Sequence, residues 1–251
     1  MSGHSKWHSI KHKKAIADAK RGNIFGKLSR MISVAAREGG SGDPNNNNAL
    51  ANAVAKAKEY NLPQDNIERA IKKGTGEMAG VKFEHMTYEG YGPGGIAVMV
   101  DITTENKNRT AADIRSIFSR SNGSLGESGC VAWMFDRKGL ITVNKESVKD
   151  YDDFMLKAID SGAEDIEELE DSYEIKVETV HLNEVKNNLI NNGIEVKFTD
   201  ILLIPKSTIK LSRHETEKAL KIINALDDYD DVENVYTNLD IEDELLEEIE
   251  S

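Results

Sequence analysis

The side chains of this sequence best suited to chemistry are cations, and they are gathered at one end. Residues 3–37, GHSKWHSIKHKKAIADAKRGNIFGKLSRMISVAAR, hold nine Lys and Arg: Lys6, Lys11, Lys13, Lys14, Lys20, Arg21, Lys27, Arg30 and Arg37. A single acid, Asp18, stands among them. Cations at this density neutralise phosphates and release the counterions condensed on a polyanion. Trp7 lies between Lys6 and Lys11 with too few apolar neighbours for local burial. Its ring is either a stacking face for a base or docked on the protein's own surface. A second candidate surface is ENKNRTAADIRS, where Lys107, Arg109 and Arg115 cluster at the start of a helix. Its N-terminal amides also favour phosphate; the plainer alternative is capping by Asn106 or Thr110 with solvated charges.

Other chemistries find less support. His4, His8 and His12 are four residues apart and would share a helical face. With no carboxylate or thiol nearby, they read as imidazoles close to phosphate or as part of a mobile arm rather than as metal ligands, and no metal or other cofactor is expected. Gly90, Gly92 and Gly95 spell G-x-G-x-x-G in YEGYGPGG, but a dinucleotide fingerprint needs a strand before it and a helix after. Here a strand follows, so the glycines read as a turn. Gly126 and Gly129 lack the serine spacing of a nucleophile elbow, and no phosphate-binding G-x-x-x-x-G-K-[ST] is present. Cys130, Trp133 and Phe135 in GCVAWMFD read as a strand whose cysteine and tryptophan fill the core. No motif positions a pair of the many carboxylates, so a hydrolase is not favoured and a non-enzymatic protein is expected.

The formal net charge of −12 conceals a strong asymmetry: residues 1–73 carry +8, residues 74–251 carry −20, and no Lys or Arg follows Lys221. A polyanion-facing end on an acidic, solvating remainder is the reading this supports. The one cysteine excludes an internal disulfide and a cysteine-based zinc site, and fits a reducing cytoplasm. No apolar stretch follows the basic N-terminus, so no secretory signal is expected, and no run approaches the length of a membrane span.

The elements that must carry these residues follow from periodicity. Ile10–Lys20 favours helix, Gly22 interrupts it, and Ile24, Leu28, Met31, Ile32 and Ala35 recur at helical spacing until Gly39 and Gly40. After the turn cluster SGDPNNNN, Leu50, Ala53, Val54 and Ala57 mark a second amphipathic helix ending near Tyr60. Pro63 opens a third, with Ile67, Ala70 and Ile71 inward and Gly74 at the cap position. Residues 94–104 form a buried strand, and a helix follows with Ala111, Ile114, Ile117 and Phe118 inward. Strands at 129–136 and 140–143, a helix at 147–160, two short strands, a helix near His181–Asn191 and a strand at 196–205 come next. That middle piece runs β-α-β-β-α-β, the ferredoxin-like order. A helix at Glu215–Leu226 and a strand at Val232–Tyr236 complete the unit begun at Val81. The expected organisation is α+β with three domains: a basic helical domain (1–80), a discontinuous α/β domain (81–138 and 205–240) and an inserted one (139–204). Both α/β domains are expected to be ferredoxin-like, and an acidic tail (241–251) follows.

Several long strings resemble the YebC family in order and spacing: GHSKWHSIKHKKAIADAKRGNIFGKLSR, AAREGG-x-x-DP-x-x-N, NLPQDNIERAIKKGTG, YEGYGPGG, NRTAADIR and LGESGCVAWMFDRKG. That family includes the mitochondrial translational activator of cytochrome oxidase. The resemblance is carried by motifs over residues 2–140 and by layout beyond. It implies a helical N-terminal domain and two α/β domains, one inserted in the other. Members are described as cytoplasmic, DNA-binding transcriptional regulators, others as ribosome-associated factors that relieve stalling at proline-rich stretches; catalysis is not implied. Carried over, the functional region is the basic string Lys6 through Arg30, with Lys72 and Lys73 of AIKKGTG nearby. Cys130 departs from the small residue, such as serine, expected at its place.

The sequence thus points to a non-enzymatic nucleic-acid-binding regulator, in which Lys11, Lys13, Lys14, Lys20 and Arg21 neutralise phosphates, His12 lies near them and Trp7 is a candidate stacking ring. Lys6, Lys27, Arg30, Lys72, Lys73, Arg109 and Arg115 complete the candidate surface. DNA and ribosomal RNA are equivalent targets for the cationic term, and no helix-turn-helix pair argues for a specific operator. The alternative class is an adaptor whose acidic α/β domains bind a basic protein. A cytoplasmic monomer without membrane attachment is expected in each case.

Overall fold

The computed structural model describes residues 21–76, 83–169 and 171–241. The expected helix at Ile10–Lys20, the candidates Lys6, Trp7, Lys11, His12, Lys13, Lys14 and Lys20, and the acidic tail from residue 242 lie outside them. Two compact units are formed by residues 133–207 and by the segments on either side. The first is therefore an insertion in the chain of the second.

Three helices open the larger unit: α1 (Arg21–Glu38), α2 (Asn48–Glu59) and α3 (Gln64–Thr75). Leu28, Ile32, Ala35 and Ala36 of α1 bury against Leu50, Ala53, Val54 and Ala57 of α2 and Ile67 and Ala70 of α3. The apolar residues recur every three or four positions, so each helix contributes one stripe and leaves its charges outside. Gly22, expected to end the helix that precedes Ile24, lies inside α1 instead. The helix stops at Gly39 and Gly40, the latter in the left-handed region at φ +63°. Asn47 then fixes the return: its side-chain oxygen caps α2 by accepting from the Leu50 amide at 3.0 Å, while its Nδ2 donates to the Ala35 carbonyl at 2.8 Å.

Gly74 is not the cap of α3. Gly76 takes that place with φ +84°, and Gly74 is buried inside the helix. A Cβ there would lie 2.3 Å from the Ser33 carbonyl oxygen of α1. Only hydrogen lets the two backbones come this close, and Ser33 Oγ secures the contact by donating to the Ala70 carbonyl at 2.8 Å.

The rest of this unit is a four-stranded antiparallel sheet of β1 (Glu84–Tyr91), β2 (Ala97–Thr104), β3 (Ser124–Leu125) and β9 (Val232–Thr237), in the order β3-β1-β2-β9. Helices α4 (Lys107–Arg120) and α7 (Arg213–Asp227) cover one face. Val98, Val100 and Ile102 of β2 join Ile114 and Phe118 of α4 and Ile222, Ile223 and Leu226 of α7 in the core. Most of the strand's other residues are buried too, which is why its sequence reads as a continuous apolar run rather than an alternation. The glycines of YEGYGPGG make the β1–β2 turn, with Gly94 and Gly95 at φ +71° and +76°. The strand expected from residue 94 therefore starts after this turn, at Ala97, and β1 before it carries no periodic signal. Two short strands, β8 (Ile209–Lys210) and β10 (Leu239–Asp240), pair in parallel beside this sheet's connections.

Residues 129–134 are not a strand. Buried Glu89 accepts the amides of Gly129, Val131 and Ala132 at 2.7, 2.9 and 2.8 Å. Amides spent on a carboxylate are not available to a ladder, so the segment is a turn running into a short 3-10 helix (Ala132–Met134), and Trp133 is 67% exposed rather than in the core. Burial pushes the Glu89 carboxyl up, but the three amides outweigh it and hold it below its ordinary range. Burial and the Glu89 charge push the Cys130 thiol up, away from the reactive thiolate.

In the inserted unit the order is β4 (Phe135–Asn144), α5 (Tyr151–Asp160), β5 (Ala163–Glu168), β6 (Ser172–Glu178), α6 (Leu182–Asn191) and β7 (Val196–Pro205). Its antiparallel sheet runs β5-β6-β4-β7, the ferredoxin-like arrangement. One strand, β4, spans the stretch where the sequence suggests two. Ile141 and Val143, Tyr173, Ile175 and Val177 pack beneath Phe154, Ala158, Val185 and Leu189. The larger unit's sheet has a different order of elements: it opens with a hairpin and runs β-β-α-β before the insertion and α-β after it.

Two glycine substitutions separate close packing from helix propensity. Gly74→Ala should destabilise the larger unit by about 2 kcal/mol through overpacking against Ser33. Gly26→Ala in α1, where a Cβ meets nothing within 4 Å, should be neutral or stabilising by up to about 1 kcal/mol. Urea unfolding followed by circular dichroism checks both.

Candidate nucleic-acid interface

The described candidates divide into cations turned onto the protein and cations facing outward. α1 carries Lys27 and Arg30 one turn apart, and both reach the corner between α7 and β9. Lys27 Nζ donates to the Asp227 carbonyl, and Arg30 donates to the Asp230 carbonyl. The second guanidinium nitrogen of Arg30 stands 3.4 Å from Asp231, whose side chain is only 4% exposed. Arg109 of α4 approaches the other carboxylate oxygen of Asp231 at 3.1 Å. Thr104 and Thr110 hydroxyls donate to that same oxygen at 2.9 and 2.7 Å.

Asp231 is thus a buried anion with its hydrogen-bonding capacity filled from three elements, the arrangement that makes a buried charge tolerable. Burial pushes its carboxyl up; hydrogen bonds from Thr110, Thr104 and Arg109 and the charge of Arg30 outweigh this and leave it below its ordinary value. The helix start that carries Arg109 is capped, the Arg109 amide donating to Asn106 Oδ1 at 3.1 Å. Arg30 and Arg109 therefore hold α1 and α4 to one carboxylate, whatever else they touch.

The outward group is centred on α3. Lys73 stands 3.5 Å from Glu105, a half-exposed pair that contributes little in water, and its ammonium lies 5.1 Å from the centre of the Phe83 ring. Lys72 is exposed and, among the described residues, meets no carboxylate within ion-pair distance. Arg115, on the exposed face of α4, lies where its charge acts on Tyr88, whose hydroxyl is nonetheless raised by burial. Arg21 enters α1, but its side chain lies outside what is described.

Between α1 and α3 the structure opens a cleft of about 390 Å³. Ser29 and Arg30 line it from α1, Asn66, Arg69 and Lys73 from α3, and Glu105 from the segment after β2. Positions 66, 69 and 73 fall on one face because helical neighbours recur every three or four residues. The sequence singles out Lys72 and Lys73 but not Asn66 and Arg69; the spacing of Arg69 to Lys73 is the signal that could have found the latter. Among the described residues no three His, Cys, Asp or Glu side chains converge as metal ligands would. Nor is any described helix long and apolar enough to cross a membrane.

Comparison with known proteins follows this architecture closely. Residues 5–77 match the model of the TACO1/YebC protein N-terminal domain, and residues 83–239 match that of the TACO1/YebC second and third domain. A protein of Natranaerobius thermophilus named "probable transcriptional regulatory protein" is 52% identical over 98% of this chain and 99% of its own. One of the same name from Dictyoglomus thermophilum is 49% identical over 99% of this chain and all of its own. The crystal structure of a conserved hypothetical protein from Aquifex aeolicus superposes with a TM-score of 0.82 at 45% identity, covering 93% of this chain and 96% of that one.

Breaking the Asp231 cluster has a defined cost. Asp231→Asn should destabilise the larger unit by about 3 kcal/mol, because two guanidinium groups lose their anion. The folded carboxyl titrates below its unfolded value, so its contribution is complete at neutral pH and is lost as pH falls below about 4. Denaturant titrations at pH 7 and pH 3 should show the difference between wild type and variant shrinking at the lower pH.

Proposed function

The chain belongs to the TACO1/YebC family, and from that premise we propose that it is a non-enzymatic, nucleic-acid-binding regulator of gene expression working in the cytoplasm. The observation that carries this reading is the segregation of charge, +8 over residues 1–73 on a chain of net −12. The names of its relatives support a regulatory role in transcription, and DNA is the target this reading assigns to the basic arm. On this reading Lys6, Lys11, Lys13, Lys14, Lys20 and Arg21 neutralise backbone phosphates, with Trp7 and His12 beside them. Lys72 and Lys73 extend that surface along α3, and the acidic α/β domains orient it or meet protein partners.

A second reading, binding of ribosomal RNA in translation, draws on the cleft. Arg69 and Lys73 of α3 border a concave cleft instead of projecting from a protruding recognition helix, and α2 and α3 both pack on α1. Such a surface suits phosphates and unpaired bases better than the floor of a major groove.

The double variant Lys13→Glu, Lys14→Glu should weaken binding to unrelated DNA duplexes about equally and make the slope of log affinity against log salt shallower by about 2. Fluorescence anisotropy with labelled duplexes, alongside ribosome co-sedimentation, measures both targets. Unchanged affinity for DNA and for ribosomes would remove the arm from the mechanism.

A further inference from the structure

The cleft between α1 and α3 has walls of three chemical kinds. Arg69 and Lys73 set two cations one turn apart on α3; Ser29 and Asn66 supply donors and acceptors; Phe25 and Phe83 supply aromatic surface. Phosphate, base edge and base plane are the three parts of a nucleotide that such walls recognise. The volume, about 390 Å³, falls in the range of small-molecule sites. Gly26 lines the cleft from α1, and a Cβ on it would meet no atom within 4 Å. Arg30 lines the cleft but is engaged by Asp231. The cationic character offered to a ligand therefore comes from Arg69, which among the described residues has no carboxylate within ion-pair distance, and from Lys73, whose half-exposed pair with Glu105 a phosphate can displace.

We infer that this cleft receives one unstacked nucleotide of a single strand, its phosphate against Arg69 and Lys73 and its base against Phe25, with Phe83 lying beneath the Lys73 ammonium. The inference rests on the nucleic-acid reading above and sharpens it. Bases in an intact duplex are paired and stacked, so they cannot enter without being flipped out, and a preference for single strands follows. The site reads a base by its plane more than by its edge, which makes it tolerant of sequence.

The test uses the full chain and two variants with independent effects. Gly26→Trp fills the cleft from α1 while replacing a poor helix former by a better one. Arg69→Glu reverses one exposed charge. Fluorescence anisotropy with a labelled 12-nucleotide RNA, the same DNA strand and its duplex, at physiological salt, gives the affinities; circular dichroism verifies folding. Each variant should lose about tenfold in affinity for the single strands, with Gly26→Trp changing duplex binding less than about twofold. A larger loss for RNA than for DNA would identify RNA as the occupant, and equal losses a single strand of either sugar; both support the inference. Wild-type affinity in Gly26→Trp, or equal losses for single strand and duplex in both variants, would overturn it while leaving the broader reading intact. Absence of binding by the wild-type chain to every probe would overturn both.

Discussion

One buried carboxylate, that of Asp231, governs how the basic helices meet the acidic sheet. Removing an anion from water is unfavourable unless its oxygens are filled, and here Thr104, Thr110 and Arg109 fill one oxygen while Arg30 approaches the other. Arg30 brings α1 to the sheet, and Lys27 adds a bond to the carbonyl of Asp227 on the same corner. Fixing α1 in this way also fixes α3, because Gly74 allows the backbones of α1 and α3 to touch. The cleft and its cations are consequences of those two contacts.

This division of labour changes the meaning of the charge count. A cluster of Lys and Arg at one end of a chain looks uniform in sequence, yet its members do unlike things in the fold. Lys27 and Arg30 are committed to carbonyls and a carboxylate of the same molecule. Arg69, Lys72 and Lys73 are positioned by an amphipathic helix whose apolar face, Ile67 and Ala70, is committed to the core. Exposure at the surface is thus the by-product of burial on the opposite side, and it leaves cations where a ligand can reach them.

Much of the fold is legible in the sequence because it is local. Period-3.6 stripes locate α1, α2, α3, α4 and α7, and alternating β and α patterns give the ferredoxin-like order of the inserted unit. What escapes is tertiary. Strand β1, EHMTYEGY, mixes exposed polar residues with an inward glutamate, and nothing nearby announces that Glu89 has three amides to meet. The same carboxylate explains why apolar GCVAWMFD does not begin as a strand. Gly74 resembles a helix stop because a glycine near a helix end usually is one; its real requirement is the approach of Ser33 from another helix. The acidic run DDYDD looks solvated, whereas Asp231 finds its partners far away in the sequence. In the site, the pairing of Arg69 with Lys73 is visible as spacing, while the role of Arg30 as an internal tether is not.

On the function proposed, a cationic surface of the helical domain binds nucleic acid through its phosphates. The most direct measurement is the affinity of the full chain for a single-stranded oligonucleotide across a range of salt concentrations. Phosphate contacts from Arg69, Lys72 and Lys73 alone give an expected slope of log affinity against log salt of about −2, and engagement of the N-terminal cations makes it steeper. Binding whose strength does not change with salt, or no binding at low salt, would contradict the proposal.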